Sequence, residues 1–257
     1  MGADPVLLLH GQPGAGADWR QVQAAIDGRV RTIAPDRPGW DGRSDARGLA
    51  GNGAAMLALL DEDGVRRVTV VGHSFGGAVA CWLGAHAPER VSALVLAAPA
   101  ANPASMNDLD RWLAAPLFGM AAAAAVLGGA SVVLSSSRAR GRVSARMRVP
   151  EVYLGEAGRI LRSPRAWRSF AHEQRALLQE LPELERALDA ITAPTAVVVG
   201  SGDRVVPLRS AELLSAEIPH AELHVLPGVG HVLPLFAAER LAKVIVRVNG
   251  GTSDGAP

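Results

Sequence analysis

The sequence predicts an α/β fold built on a mostly parallel sheet of about six strands, with a helical insertion. Short apolar runs bounded by glycine or proline recur along the chain, and helix-length segments separate them. Most of these runs are continuously apolar rather than alternating, which is typical of strands buried on both faces of a parallel sheet. The 257 residues suffice for one large domain or for one domain with an insertion.

Six runs are strand candidates, and four longer segments supply the helical crossovers between them. The strands are predicted at Val6–His10, Thr32–Asp36, Val68–Gly72, Ala93–Ala98, Thr195–Gly200 and Glu222–Leu226. The helices are predicted at Ala54–Asp61, Phe75–Ala87, Arg209–Glu217 and Ala237–Val248. This order of elements indicates an open α/β sandwich.

The alternation stops in a long interval that opens at Asn102-Pro103 and closes at Ala193-Pro194, both of them turn signals. No run of comparable strand quality lies between the two signals. We therefore predict a core formed by residues 1–101 and 194–257, and a helical cap insertion formed by residues 102–193.

The predicted cap contains a long uncharged stretch followed by a dense group of arginines. Residues 112–137 carry no charge and are numerous enough for a membrane span. Pro116 interrupts the stretch and its alanines gain little from transfer into lipid, so we interpret it as apolar cap helices that face a pocket. The arginines are Arg138, Arg140, Arg142, Arg146, Arg148, Arg159, Arg162, Arg165 and Arg168, against only Glu151 and Glu156. A solvated face is the plainer interpretation, and weak attraction to an anionic substrate or membrane surface is the alternative.

Composition and charge exclude several classes of protein. Hydrophobic residues make up 49% and charged residues 20%, which is typical of a chain that forms a core. The formal net charge of +1 gives no strong attraction to nucleic acid. The single cysteine, Cys81, excludes intrachain disulfides and multi-cysteine metal sites, and its apolar surroundings predict a buried, inert thiol. Because no secretory signal is visible, we expect a cytoplasmic protein.

The strongest functional signal is the segment Gly72–Gly77, which reads Gly-His-Ser-Phe-Gly-Gly. It lies between a predicted strand and a predicted helix, which is the context of a G-x-S-x-G nucleophile elbow. A side chain at Gly72 or Gly76 would clash in so sharp a turn. The turn places Ser74 at the positive end of the helix, where developing negative charge is favoured. Ser74 is therefore the predicted nucleophile.

A serine hydroxyl needs a base, and the base needs an acid that fixes its tautomer. Of the seven histidines, only His231 lies in a late, glycine-rich loop after the last predicted strand. His73, inside the elbow, is expected to face away. Asp203 follows the fifth predicted strand and so shares a sheet edge with Ser74, although capping of the nearby helix is an alternative role. We predict a Ser74–His231–Asp203 triad.

Two backbone N–H groups are predicted to bind the oxyanion that an acyl-transfer reaction forms. One belongs to Phe75, directly after the nucleophile, and the other to Gln12, because Gly11 permits a turn there and Pro13 has no N–H. His10 is expected to orient this loop. A phosphate-binding loop is disfavoured, because no G-x-G-x-x-G opens a helix there and no Walker lysine is present. No metal or organic cofactor is implied.

Together these motifs resemble the α/β-hydrolase superfamily, over nearly the whole chain. The matching segments, in order, are His10–Gly14, Asp36–Ser44, Gly72–Gly77, Gly200–Asp203 and Gly230-His231. The chain order Ser74, Asp203, His231 is also that of the family. The resemblance implies the α/β-hydrolase fold with a helical cap and a serine esterase. It gives the Asp36–Ser44 segment only a structural role.

One departure concerns the start of the sheet. The family usually has a β-hairpin before the first strand found here, whereas only Met1–Pro5 precede it. The strand at Thr32–Asp36 is then expected to be an exposed edge. Such an edge invites pairing with another chain, and hence a homo-oligomer, unless the natural chain begins earlier.

The resemblance also narrows the chemistry. Related epoxide hydrolases and haloalkane dehalogenases use an aspartate nucleophile, which Ser74 excludes. Perhydrolases and haloperoxidases often carry an aromatic residue at the position of Gln12 and methionine at that of Phe75. Carbon–carbon bond hydrolases usually carry tryptophan close after the catalytic histidine, where this chain has Val232 and Leu233.

We therefore expect hydrolysis of a small-molecule carboxylic ester, thioester or lactone. The apolar segment Leu113–Leu134 is expected to shape a pocket for an apolar acyl or aryl group. Carbon–carbon bond hydrolysis or perhydrolysis by the same triad, and a non-catalytic receptor for a small ligand, are the alternatives.

Overall fold

The computed structural model describes residues 3–115, 118–147 and 150–250. Pro116, Arg148 and the outermost residues of the predicted core lie outside the described residues. The strands are β1 (Val6–Leu9), β2 (Thr32–Ile33), β3 (Val68–His73), β4 (Val91–Ala97), β5 (Thr195–Gly200) and β6 (Glu222–Leu226). The helices are α1 (Arg20–Ile26), α2 (Leu49–Glu62), α3 (Phe75–His86), α4 (Asp108–Leu113), α5 (Gly119–Ser135), α6 (Ser137–Met147), α7 (Glu151–Leu161), α8 (Pro164–Ala187), α9 (Leu208–Glu217), α10 (Leu233–Phe236) and α11 (Ala238–Gly250).

The described strands form one parallel sheet in the order β2-β1-β3-β4-β5-β6. The central strands β1, β3, β4 and β5 are buried on both faces, whereas the edge strands β2 and β6 are only partly buried. In β1, Leu7 and Leu9 join the core that includes α2 and α3, while Val6 and Leu8 join the core that includes α1 and α11. This two-sided burial explains why the strands are continuously apolar, and it confirms the predicted α/β class. Cys81 is buried in α3, as predicted.

The edge strand β2 is shorter than predicted. The sequence favours a strand over Thr32–Asp36, but pairing with β1 ends after Ile33. Pro35 has no N–H to continue the ladder, and the carboxylate of Asp36 accepts the N–H of Gly16 at 2.7 Å. The chain therefore leaves the sheet early. Its pairing with a second chain stays a prediction.

Between β4 and β5, the described residues form helices α4 to α8 and contain no strand. Helix α5 packs against α7 and α8. A small apolar cluster at this contact comprises Leu113, Ala122, Ala123, Leu127, Phe170 and Ala171. The second half of α8 differs, because Leu177, Leu181 and Leu184 belong to the core on the α2 and α3 side of the sheet. The division at residues 102–193 stays a prediction, and α8 contributes to both regions.

Within the described ranges, no single helix is both long enough and apolar enough to cross a bilayer. Helices α5 and α6 meet that criterion only as a pair, and the chain bends by 99° between them.

Candidate active site

Ser74 lies in a strained turn between β3 and α3, with φ 54° and ψ −119°. A Cβ added to Gly72 would lie 2.1 Å from the carbonyl oxygen of Gly76, and one added to Gly76 would lie 2.3 Å from that of Leu9. Both glycines are therefore required sterically, as predicted for a nucleophile elbow. A non-glycine residue in such a conformation costs on the order of 1–3 kcal/mol, which the surrounding structure must offset.

Asp203 and His231 meet after the ends of β5 and β6, with His231 Nδ1 at 2.9 Å from Asp203 Oδ2. The other oxygen of Asp203 accepts the N–H groups of Val205 at 2.8 Å and Val206 at 3.0 Å. Burial raises the pKa of Asp203, but the His231 contact and these N–H groups outweigh burial and hold the pKa below its ordinary value. The ionised carboxylate fixes the His231 tautomer with Nδ1–H as donor and Nε2 available. Asp203 does not cap α9, whose N-cap residue is Pro207.

His73 contacts the His231 loop, so the prediction that it faces away is wrong. Its Nε2 lies 3.0 Å from the carbonyl oxygen of His231, and the two ring centroids are 4.9 Å apart. Burial and then the proximity of His231 lower the pKa of His73 to about 3, so the neutral ring donates through Nε2–H. Because His73 directly precedes Ser74, this bond holds the His231 loop beside the elbow.

The described hydrogen bonds include none between Ser74 Oγ and the ring of His231. Such bonds are often long without substrate and tighten in the complex. The structure therefore brings Asp203 and His231 into direct contact and seats the His231 loop on the residue before Ser74. Joint action of the three side chains stays a prediction.

The loop after β1 passes against the elbow. A Cβ added to Gly11 would lie 3.0 Å from the Cβ of Ser74, so any larger residue would crowd the elbow at this point. His10 braces the loop from within, since its Nδ1 lies 2.8 Å from Gly11 O and its Nε2 accepts the N–H of Arg37 at 2.9 Å. Burial lowers the pKa of His10 well below its ordinary value, so the ring is neutral. These contacts agree with the orienting role expected for His10. Oxyanion binding by the N–H of Gln12 stays a prediction.

The side chain of Gln12 connects this loop to the cap. Its Nε2 donates to Gln174 Oε1 at 3.2 Å, and Gln174 Nε2 donates in turn to Asp110 Oδ1 at 3.2 Å. Gln12 Oε1 is buried and has no hydrogen-bond partner among the described residues. An unpaired buried acceptor costs about 1–3 kcal/mol, so this oxygen is suited to a donor that water or a ligand brings.

Arg37 braces the loop after β1 from within, a contact that sequence reasoning missed. It is fully buried, and it donates through Nε to His10 O at 2.8 Å and through Nη2 to Gly11 O at 2.9 Å. Its guanidinium also lies 4.7 Å from the centroid of the Phe75 ring. Arg37 thus touches both segments predicted to supply oxyanion donors. No sequence pattern around Arg37 in the Asp36–Ser44 segment indicates its contacts with the loop after β1 and with Phe75.

Glu173 of α8 neutralises Arg37. Its carboxylate accepts bonds from both terminal nitrogens of Arg37, with Nη2–Oε2 at 3.3 Å, and from Trp40 Nε1 at 3.0 Å. Neither side chain of the pair is exposed. Burial raises the pKa of Glu173, and the nearby Arg37 and Trp40 oppose that rise. The pair joins the loop after β1 to a cap helix.

A cavity of about 330 Å³ lies between the core and α7. Its core wall includes Pro13 and Val232, which directly follow Gln12 and His231 in the chain, and its cap wall includes Ile160 and Leu161. Among the described residues, none of the Leu113–Leu134 segment lines this cavity, and its shaping of a pocket for an acyl or aryl group stays a prediction. The inner face of α5 is occupied by the cap cluster instead.

The polar groups of this cavity are acidic or neutral. Tyr153 donates to Asp18 Oδ1 at 3.0 Å, and Asp18 Oδ2 accepts the N–H of Ala15 at 3.1 Å. Burial is the largest effect on Asp18 and raises its pKa. Glu156 also lines the cavity and lies 3.5 Å from the exposed Arg20. No arginine or lysine of the described residues lines it.

Comparison with known proteins places this arrangement in a family. A model described as the alpha/beta hydrolase family matches residues 6–244. The chain is 30% identical over 239 residues to a 2-hydroxy-6-oxo-6-phenylhexa-2,4-dienoate hydrolase of Burkholderia cepacia, covering 89% of this chain and 81% of that protein. It is 29% identical over 241 residues to an uncharacterized protein of Mycobacterium tuberculosis, covering 88% of this chain and 69% of that protein. The solved structure of a 2-hydroxy-6-oxo-6-phenylhexa-2,4-dienoate hydrolase from Rhodococcus sp. strain RHA1 matches with a TM-score of 0.73 at 22% identity. The match covers 96% of this chain and 90% of that chain. The chain is therefore a hydrolase of the alpha/beta hydrolase family.

Proposed function

We propose that the chain cleaves a small carboxylic ester, thioester or lactone by a serine mechanism. The observation that carries this proposal is the Asp203–His231 contact, held beside the strained Ser74 by His73. Ser74 Oγ attacks the acyl carbon while His231 Nε2 takes its proton, and Asp203 stabilises the imidazolium. His231 then returns the proton to the leaving group, and afterwards activates the water that releases the acid.

The oxyanion of each tetrahedral intermediate is bound in this mechanism by the N–H groups of Gln12 and Phe75. Support comes from the approach of the loop after β1 to within contact of Ser74, and from Arg37, which braces both segments. One such donor is worth about 3 kcal/mol of barrier lowering. The unpaired Gln12 Oε1 offers an additional acceptor to a donor group on the substrate.

The cavity beside Pro13 and Val232 is the substrate pocket in this proposal, and it favours an uncharged acyl group. Ile160 and Leu161 offer apolar surface. Asp18 and Glu156 give the cavity a negative potential that repels a carboxylate.

A second candidate is hydrolysis of a carbon–carbon bond in a dienoate, which the name of the Burkholderia cepacia relative favours. The same triad would serve that reaction. Two features of this chain count against it. Val232 and Leu233 follow His231, and the cavity offers acids rather than a cation to the carboxylate of a dienoate. Perhydrolysis and a non-catalytic receptor have no comparable support.

Two measurements test the proposal. A fluorophosphonate probe is expected to label the chain once, and the label is expected to vanish in Ser74→Ala but not in the matched variant Ser215→Ala. Turnover of p-nitrophenyl butyrate should exceed turnover of 2-hydroxy-6-oxo-6-phenylhexa-2,4-dienoate under the same conditions. Faster dienoate cleavage would establish the second candidate, and an unlabelled wild type would refute both.

A further inference from the structure

Helix α5 is apolar on its outer side as well as its inner side. Its inner side contributes Ala122, Ala123 and Leu127 to the cap cluster. On its outer side, Val132 is 70% exposed and Val133 is 50% exposed, and the helix carries no charged residue. A helix that is apolar all round is normally covered on all sides, so the outer side of α5 requires an additional contact.

Exposed apolar side chains are concentrated on the cap. In the part of the chain that the structure describes, eight of ten exposed large apolar side chains lie in the interval between β4 and β5. Besides the valines of α5 they include Phe118, Met120 and Val152, which is 73% exposed. Apolar side chains that are exposed singly need no explanation, but their concentration on one region marks an interaction face.

Helix α6 places positive charge next to this apolar face. It follows α5 after Ser136, and its exposed residues Arg138, Arg142 and Arg146 recur every four residues along one side. The helix contains no acidic residue. Apolar and basic surfaces therefore meet at the bend between the two helices.

A cleft of about 510 Å³ at this bend combines both properties. Leu134 and Val152 contribute apolar surface, and Arg140, Arg159 and Arg162 contribute guanidinium groups. The one carboxylate in the cleft, that of Glu151, lies 3.8 Å from Arg140. Within the described part of the chain, Arg159 and Arg162 pair with no carboxylate.

We propose that this face of the cap docks on a membrane surface rich in anionic phospholipid. The outer side of α5 enters the interfacial region, and the exposed arginine row of α6, with Arg159 and Arg162 of the cleft, binds lipid phosphates. An apolar face combined with a polybasic patch supplies the two contributions that interfacial binding needs. A second copy of the chain fits less well, because it would bring the same arginines into mutual repulsion. This proposal is independent of the substrate that the active site cleaves.

The test is flotation of the full chain with vesicles of phosphatidylcholine, with and without phosphatidylserine. Binding is expected only with phosphatidylserine and is expected to weaken as salt increases. The triple variant Arg138→Gln, Arg142→Gln, Arg146→Gln should bind at least about tenfold more weakly. The matched control is the triple variant Arg29→Gln, Arg67→Gln, Arg240→Gln, which removes three surface arginines outside the cap. It should change binding less than about threefold.

A second variant tests the apolar contribution. Val132→Asp with Val133→Asp should abolish flotation while circular dichroism and thermal unfolding stay those of the wild type, because both side chains are exposed. Equal binding to neutral and anionic vesicles, no binding to either, or equal losses in the two arginine variants would overturn the proposal. So would a lipid-free dimer that the valine variant dissociates, because a second copy would then cover the face.

Discussion

The substitution Glu173→Gln tests whether the cap holds the predicted oxyanion loop through Arg37. It preserves the shape of the side chain but removes the charge that neutralises a fully buried guanidinium. Loss of one partner of a buried ion pair costs about 3–5 kcal/mol. In a domain close to this size each kcal/mol lowers Tm by about 2–4 °C, so we expect a decrease of about 6–20 °C.

The same substitution should reduce turnover. Arg37 donates to the carbonyls of His10 and Gly11, so any displacement of the guanidinium moves the N–H of Gln12. Loss of one oxyanion donor lowers kcat by about 10²–10³-fold. We expect a decrease in kcat approaching the lower end of that range, with a smaller change in KM, because the oxyanion forms only during the reaction.

The measurements are thermal unfolding, urea unfolding, and kcat and KM for p-nitrophenyl butyrate well below Tm. Glu183→Gln is the matched control, since it makes the same change at an exposed position of α8 and should alter stability by less than about 0.5 kcal/mol. A Glu173→Gln protein within 1 kcal/mol of wild type would refute the energetic reasoning. A large stability loss with unchanged kcat would refute the positioning role alone.

Three other substitutions test the site. Asp203→Asn should leave the fold intact but lower kcat by about 10⁴-fold, measured on the same ester. Because the pKa of Asp203 in the folded state is below its ordinary value, the stabilisation by its carboxylate is present above the ordinary carboxyl range and is lost as pH falls through the folded pKa. The free energy of unfolding, measured with urea, should therefore fall less on acidification in the variant than in the wild type. Ser74→Gly should be more stable than Ser74→Ala by about 1 kcal/mol in urea unfolding, because glycine relieves the positive φ; equal stability would mean that the elbow is not strained. Asp18→Asn should raise kcat/KM for p-nitrophenyl hemisuccinate relative to p-nitrophenyl butyrate by about tenfold, because removal of one negative charge lowers the repulsion of the substrate carboxylate by roughly 1–2 kcal/mol. An unchanged ratio would mean that this cavity does not bind the substrate.

The elements best predicted from the sequence are those whose signal is local. The bounds of β5 and β6 match their predicted ranges, because flanking proline and glycine end runs that are apolar throughout or rich in strand-forming residues. The elbow is equally local, since the two glycines and Ser74 lie within five residues. The edge strand β2 was predicted too long, because its end depends on a contact between Asp36 and the distant Gly16.

The contacts that sequence reasoning missed join residues far apart in the chain. Arg37 and Glu173 are separated by 136 positions, and His73 and His231 by 158. No periodicity or motif relates such pairs. Each residue alone has an ordinary interpretation, His73 as a packing residue and Arg37 as part of a structural loop. Only the fold shows that each braces a segment of the candidate site.

Two neighbouring residues of α8 reach the same loop of the core. Glu173 neutralises the arginine that braces the loop, and Gln174 accepts a bond from Gln12 itself. Helix α5, whose outer side we propose to meet the membrane, packs against α8. A movement of α8 would therefore strain both contacts together, because Glu173 and Gln174 are neighbours in the same helix. The cap as well as the sheet thus positions the predicted oxyanion donor at Gln12. We therefore expect cap substitutions that shift α8 to alter kcat more than KM.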